Sequence, residues 1–329
     1  MKKKIYVLFF FLMTVNVLFA QQKDGTYTFL NATNSARVAS LGGVMLPIYD
    51  SDIQLVTFNP SLINSEINNS MSLSYVDYFN DINFGTVQYG HSFEKIGSFV
   101  GTIQYHNYGD FFYSGETGVV ETNQFSVSDY AIYLGWGRQL NDRLSIGANL
   151  KFAGIQYEDN SSFAIAVDVA GTYITKSNWV ISLAARNIGS ELYNNYQSYN
   201  NSLPFRMQIG TSKKLEHLPL TIVVVYDNLQ KWDLSYYDPL DLEGNYDPMT
   251  GEYVEKNKVD KFAKNLFSHF VFAGELNLGK NLSIRLGYNY GYRQTMKSPT
   301  KKGVVGLSYG VGINVYKFNI SYSRSEMHI

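Results

Sequence analysis

The sequence predicts an all-β fold, a transmembrane antiparallel β-barrel of the outer-membrane kind, on three observations. The first is a two-residue rhythm. Between 282 and 292 the even positions read Leu282, Ile284, Leu286, Tyr288, Tyr290 and Tyr292, and the odd ones Ser283, Arg285, Gly287, Asn289 and Gly291. Val305, Leu307, Tyr309, Val311, Ile313 and Val315 repeat the split against Gly306, Ser308, Gly310, Gly312 and Asn314. Successive side chains of a strand point to opposite faces, so each stretch has one apolar and one small or polar face. The second observation is length. Such runs match the roughly 9–11 residues a tilted strand needs to cross a membrane, and exceed the roughly 5–6 of a soluble strand. The third is composition: 16% of residues are aromatic and only 17% charged. Soluble domains carry about 25% charged residues, whereas membrane barrels carry aromatic girdles.

The first twenty residues read as a signal peptide (1–20). Lys2, Lys3 and Lys4 make a basic start, Ile5 to Leu12 with Val15 to Phe19 an apolar stretch, and Ala20-Gln21 a cleavage point. A retained anchor is the weaker reading, because Thr14 and Asn16 interrupt a short apolar run. Removing three lysines from 27 basic residues leaves 24 against 28 acidic ones, a net of −4. Charge so near balance gives no argument for nucleic acid. The sequence holds no cysteine, which excludes disulfides, thiolate metal sites and lipid attachment at an N-terminal Cys.

Residues 21–69 read as an N-terminal hatch or plug. Asn34-Ser35 precedes Ala36, Arg37, Val38, Ala39, Ser40 and Leu41, which suits a short helix that Gly42-Gly43 can end. Asp50-Ser51-Asp52 can cap a second short helix ending before Asn59-Pro60. A barrel of this size has a lumen to fill, which favours a plug over a free tail or an added strand. Residues 70–329 read as the barrel, with strands at 70–78, 82–92, 98–108, 125–138, 143–157, 162–174, 179–188, 203–212, 218–229, 268–278, 282–294, 303–315 and 318–327.

The connections sort into two sets. The short set is 93–97, 139–142, 175–178, 213–217, 279–281 and 316–317. The other holds every long one: 109–124, 189–202, 230–267 and 295–302. It also has short members near 79–81 and 158–161. Bacterial barrels have short periplasmic turns and longer outer loops, so the first strand ascends and 230–267 is the largest external loop. Thirteen strands is an odd count, whereas single-chain bacterial barrels have even ones. The expected repair is a descending strand beyond Ile329, making this a C-terminally shortened sequence; the alternative is a strand miscounted within 109–124.

Three blocks resemble a known family. Tyr27-Thr28-Phe29-Leu30-Asn31, Asn34 to Gly43 and Asn59-Pro60-Ser61 form the first. Leu203-Pro204-Phe205, Leu218-Pro219-Leu220 and Asp227 to Leu234 form the second. Phe267 to Leu276 with Arg285-Leu286-Gly287-Tyr288-Asn289-Tyr290 forms the third. Together they are similar to the PorQ family of type IX secretion system outer-membrane proteins. That family and its PorV relatives resemble FadL-type fatty-acid transporters, fourteen-stranded barrels whose N-terminal hatch carries Asn-Pro-Ala; here the motif reads Asn59-Pro60-Ser61. The resemblance implies a non-enzymatic anchor for a PorZ-like surface protein, within an attachment complex that also has PorU-like and PorV-like components and joins cargo to lipopolysaccharide. It also implies a further strand past the equivalent of Ser323. The main alternative is a FadL-like channel for small hydrophobic molecules, with an apolar pocket under the hatch and a kinked wall strand.

Candidate residues follow from these expectations. Trp232, Tyr236, Tyr237, Tyr246, Met249 and Tyr253 on the 230–267 loop, and Tyr193, Tyr196 and Tyr199 near 190–202, are candidate partner contacts. Aromatic residues bury much area with few rotatable bonds; girdle or loop packing is the other reading. Arg37, Asn59 and Pro60 belong to the hatch. Asp168, Arg186, Arg206, Glu275, Arg285 and Arg293 alternate with apolar neighbours and should face the lumen as a network holding the hatch. Other chemistry is weaker. Asp238, Asp241, Glu243, Asp247 and Glu252 crowd one loop without an EF-hand spacing. The histidines at 91, 106, 217, 269 and 328 have no metal-ligand spacing. His91, Asp168 or a strand serine imitates barrel hydrolases only loosely, and no cofactor is expected. A soluble two-sheet sandwich would leave these strands too long.

Overall fold

A computed structural model describes residues 26–79, 82–114, 120–195, 202–234, 249, 258–296 and 303–326. The signal peptide expected over 1–20 lies outside them. The protein is all-β, with thirteen antiparallel strands among the described residues, in one sheet hydrogen-bonded in the order β1 to β13. They are β1 (Ser70–Asp77), β2 (Asn83–Phe93), β3 (Gly97–Ser114), β4 (Val120–Asn141), β5 (Leu144–Tyr157), β6 (Asn160–Ile174) and β7 (Trp179–Asn194). Then follow β8 (Arg206–Lys214), β9 (Leu220–Tyr226), β10 (Phe270–Leu278), β11 (Leu282–Asn289), β12 (Leu307–Val315) and β13 (Phe318–Ser325). Among the described residues three α-helices accompany them, α1 (Ala36–Ser40), α2 (Lys258–Ser268) and α3 (Tyr290–Met296), with short 3-10 turns in the N-terminal segment. No helix among the described residues is long and apolar enough to cross a membrane, which says nothing of strands.

The strands read as expected in number, and their ends differ in informative ways. Residues 109–114 and 120–124 are strand, not loop. β3 and β4 continue their ladder past residue 107, with Phe111 opposite Phe125 and Ser114 opposite Val120, after a register shift between Asn107 and Asp110. One added residue on β3 makes this a β-bulge, a local irregularity that strands tolerate. The expected strand 282–294 stops at Asn289, because Tyr290–Met296 turns into α3. Asn289 starts that helix by accepting the Tyr292 backbone N–H at 3.1 Å, the usual action of asparagine at a helix start. The expected 230–267 loop ends in helix α2. Between β12 and β13 only Tyr316 and Lys317 intervene, and Tyr316 takes φ 56°, the left-handed conformation that a two-residue hairpin demands.

The chain divides into two compact units. The first comprises Met1–Asn34, Tyr49–Thr172 and Ala184–Arg206. Within it the N-terminal residues cover one face of the strands. Tyr27, Phe29 and Leu30 join Ala131, Tyr133, Ala153, Ile155, Ala164 and Ala166 in one buried cluster. Ile53, Val56, Ile63 and Ile67 join Val100 in another. The strand residues below are small because the backbone above comes close. A Cβ added to Gly147 would collide with the Pro60 carbonyl oxygen, and one on Gly137 would stand 2.5 Å from the Ile63 carbonyl oxygen.

The second unit comprises Ser35–Ile48, Tyr173–Leu183 and Met207–Ile329. Here α1 and the following turn lie on β11, β12 and β13. The Ser35 hydroxyl caps α1 by accepting the Val38 N–H, and Gly42 and Gly43 end it at φ 96° and 74°. Gly42 donates to the Ser308 hydroxyl at 3.1 Å, while Asn289 Nδ2 donates to the Gly42 carbonyl at 3.0 Å.

In each unit the strand faces are reversed from those of a soluble sheet. The covered face buries Gln88, Thr102, Gln104, Asn149, Lys151 and Asp168 in the first, and Gln208, Ser212, Glu275, Arg285 and Ser308 in the second. The opposite face exposes the apolar residues. Met71, Leu73 and Tyr75 of β1 are 64, 68 and 71% exposed, and Phe318, Ile320 and Tyr322 of β13 are 72, 65 and 64% exposed.

Candidate functional site

The chemistry-bearing side chains gather beneath the N-terminal segment, as two buried clusters. In the first unit, period-two alternation along β5 sends Asn149, Lys151 and Ala153 to the covered face. Lys151 Nζ lies 2.7 Å from Asp168 Oδ2, with both side chains fully buried, and donates to Asn187 Oδ1 at 2.8 Å. The Tyr133 ring lies 5.0 Å away. Asp168 accepts again from the Asn187 backbone N–H at 2.8 Å and from Asn149 Nδ2 at 3.4 Å. Asn187, at φ 58°, carries the network to the N-terminal segment: its amide donates to Asn31 Oδ1 at 2.9 Å and to the Pro204 carbonyl at 3.0 Å. Beside it Arg186 donates to the Leu30 carbonyl at 3.2 Å and places its guanidinium 4.8 Å from the centre of the Phe58 ring. A charge in such a place requires a partner and satisfied hydrogen bonds, and the ring face adds attraction.

Asn59-Pro60-Ser61 has a structural explanation in the same unit. Pro60 opens a one-turn helix, where its missing N–H costs nothing. Asn59 Oδ1 accepts from the Ser61 N–H and from the Ser61 hydroxyl at 2.6 Å. The Ser61 and Thr172 hydroxyls meet at 2.6 Å, and Asn59 Nδ2 reaches Thr172 at 3.4 Å. The motif thereby fixes the turn to β6 while its carbonyls sit against Gly137 and Gly147.

In the second unit Glu275 of β10 stands between two arginines. Arg37 of α1 binds it with two parallel contacts, Nε to Oε2 and Nη2 to Oε1, both 2.8 Å. Arg285, directly opposite Glu275 in the β10–β11 register, donates to the same Oε2 at 2.8 Å and to the Ser321 hydroxyl at 3.0 Å. A bidentate arginine–carboxylate contact fixes orientation as well as charge, which a lysine could not do.

The structure thus brings together Arg37, Glu275 and Arg285 in one cluster. Asp168 and Arg186 lie in the other unit, with Asn59 and Pro60 in the turn just described. Arg206 opens β8 and is buried. Arg293 does not belong to a strand network: it lies on α3, where Nη1 donates to the Gly303 carbonyl at 3.3 Å. Its expected strand alternation fails because the chain turns helical at Tyr290. Lys151, Asn187 and Asn31 also belong to the buried network, beyond the lumen residues expected from the sequence. Lys151 was detectable, since it falls on the small and polar side of an alternating strand.

Of the candidate partner contacts, Tyr193 ends β7 on an exposed position. Trp232 is half exposed, with its ring 5.4 Å from Phe262 and 5.7 Å from His269. Met249 is exposed. Tyr196, Tyr199, Tyr236, Tyr237, Tyr246 and Tyr253 lie outside the described residues, as do the acidic positions 238, 241, 243, 247 and 252 and His328. No protein-family model matches the chain, and no curated protein matches it.

Proposed function

We propose that this chain is an integral outer-membrane β-barrel, carried across the inner membrane by its N-terminal signal, that anchors a cell-surface component of a type IX secretion attachment complex. The observation carrying the membrane part is the reversal of polarity across the strands. A face bearing Leu73, Ile103, Leu134, Ile222, Leu286 and Ile320, all exposed, is unfavourable in water and favourable in hydrocarbon. The opposite face holds the buried ion pairs. Strands can cross a bilayer only when every backbone group is paired, which a closed barrel achieves.

The anchor role rests on the PorQ-family resemblance, and the filled inner faces support it. The N-terminal residues are fixed to the strands by hydrogen bonds and ion pairs, an arrangement suited to a rigid mount. Its partners would be a PorZ-like surface protein with PorU-like and PorV-like components, among outer-membrane lipid and lipopolysaccharide. Binding would fall to the outer loops, where sequence varies without disturbing the ladders. Affinity purification of the tagged protein from detergent-solubilised outer membranes tests this: a surface protein of the attachment complex should co-purify. Replacing 236–256 with a short polar linker should release that protein while the barrel still assembles. Retention of the partner after the replacement removes the loop from the interface. Recovery of the chain alone, with bound fatty acid, would favour the channel reading.

A further inference from the structure

We propose that α2 and Trp232 form an interfacial anchor, lying along the membrane boundary with an aromatic face in the acyl-chain border and lysines toward phosphate-bearing lipid headgroups. The inference rests on the membrane reading above and assigns the surface that this part of the second unit meets.

Helical spacing puts Val259, Phe262, Ala263 and Leu266 on one side of α2, with Phe267 beside them. A helix folded against its own protein buries such a side. Here Val259 and Phe262 are 69 and 57% exposed and Ala263 and Leu266 half-buried, while the polar Asn265 and Ser268 are buried. The helix therefore presents its apolar side outward and is held from its polar side. Asn265 does the holding: Nδ2 donates to the Trp232 carbonyl at 2.6 Å, and Oδ1 accepts the Leu234 N–H at 2.8 Å. His269 Nε2 reaches the same Trp232 carbonyl at 3.0 Å. Trp232 is thereby fixed beside Phe262 rather than left on a free loop.

Continuity identifies the occupant. From α2, Phe267 meets Phe270 at 6.4 Å, which stacks on the exposed Phe272 of β10 at 5.8 Å. Phe267 also meets Tyr290 at 6.0 Å, which leads through Tyr288 to the exposed column Leu286 and Ile284 of β11. The aromatic side of α2 thus extends the same apolar strand face assigned to lipid. Among the described side chains its polar border is basic: Lys231, Lys261 and Lys264 are exposed, against the exposed Asp233. Aromatic residues with lysines at their edge suit the boundary between acyl chains and anionic headgroups, where the ring is amphipathic and the lysine stem reaches outward.

Full-length protein reconstituted in phosphatidylethanolamine and phosphatidylglycerol vesicles tests the proposal, using two single-tryptophan forms. One retains Trp232 (Trp136→Phe with Trp179→Phe), and the other retains Trp179 (Trp136→Phe with Trp232→Phe). Lipids brominated near the headgroup should quench Trp232 more strongly than lipids brominated near the chain end. Adding Lys264→Glu should reduce that quenching in vesicles containing phosphatidylglycerol and leave it unchanged in neutral ones. If Trp179 is quenched and Trp232 is not, the inference is overturned, the membrane reading survives, and this face is left for a protein partner. If neither is quenched, the membrane reading fails first and takes the anchor with it. Quenching of Trp232 indifferent to Lys264→Glu would refute the headgroup contact.

Discussion

Glu275 shows why single residues matter beneath the N-terminal segment. Its carboxylate is the counter-charge that two buried guanidinium groups share, so its removal differs in kind from the removal of either arginine. Glu275→Ala leaves Arg37 and Arg285 buried, close together and without counter-charge. Breaking a buried pair this way costs about 3–5 kcal/mol. Arg37→Met leaves Glu275 paired with Arg285 and retains an apolar side chain of similar reach, so its cost should be clearly smaller. Urea unfolding of both variants in detergent micelles gives the order directly. Arg37→Met proving the more destabilising would show that the bidentate contact, and not charge balance, dominates the cluster.

At the scale of elements, the glycines opposite Pro60 and Ile63 separate a designed close approach from ordinary strand glycines. Gly147→Ala places a methyl group against the Pro60 carbonyl, whereas Gly101→Ala in β3 meets nothing within 4 Å. Overpacking against backbone costs about 1–3 kcal/mol, because neither the turn nor the strand can yield cheaply. Gly147→Ala should therefore lower stability and expose the Asn59–Ser61 turn to protease, while Gly101→Ala should behave like the parent. Equal protease resistance in the two variants would mean that the turn does not sit against β5. The strands themselves were legible because alternation over a long run has one physical cause. The helices were less so. Tyr288, Tyr290 and Tyr292 continue a two-residue rhythm that the Asn289 cap overrides. Val259, Phe262, Ala263 and Leu266 carry a helical period at the end of a long stretch between strands, too short to stand out there. Inward positions such as Glu275 and Arg285 followed from alternation alone. Their pairing did not, because register is set by tertiary contacts, and Arg37 arrives from 238 positions away in sequence.

At the scale of the whole molecule, the surrounding medium is the quantity to test, and two leucines on one strand isolate it. Leu134 and Leu140 of β4 are 55 and 52% exposed, Leu134 in the regular ladder opposite Leu150 and Leu140 at the register shift between Gln139 and Asn141. Their positions differ more: Leu140 adjoins the turn before Leu144, whereas Leu134 lies six residues further up the strand. In water, arginine at either position is a surface change, within about 0.5 kcal/mol of neutral. In a bilayer the cost depends on depth, about 2–4 kcal/mol near the midplane and about 0–1 kcal/mol near the interface. Arginine at the turn end can reach headgroups, while arginine at mid-strand must thin the bilayer or draw water inward. Leu134→Arg should therefore destabilise the protein in phospholipid vesicles several times more than Leu140→Arg, as read from denaturant unfolding. The gap should narrow in short-chain detergent, whose apolar layer is thin. Equal small costs in vesicles would mean that water, and not lipid, covers this face, and the barrel reading would fall with it.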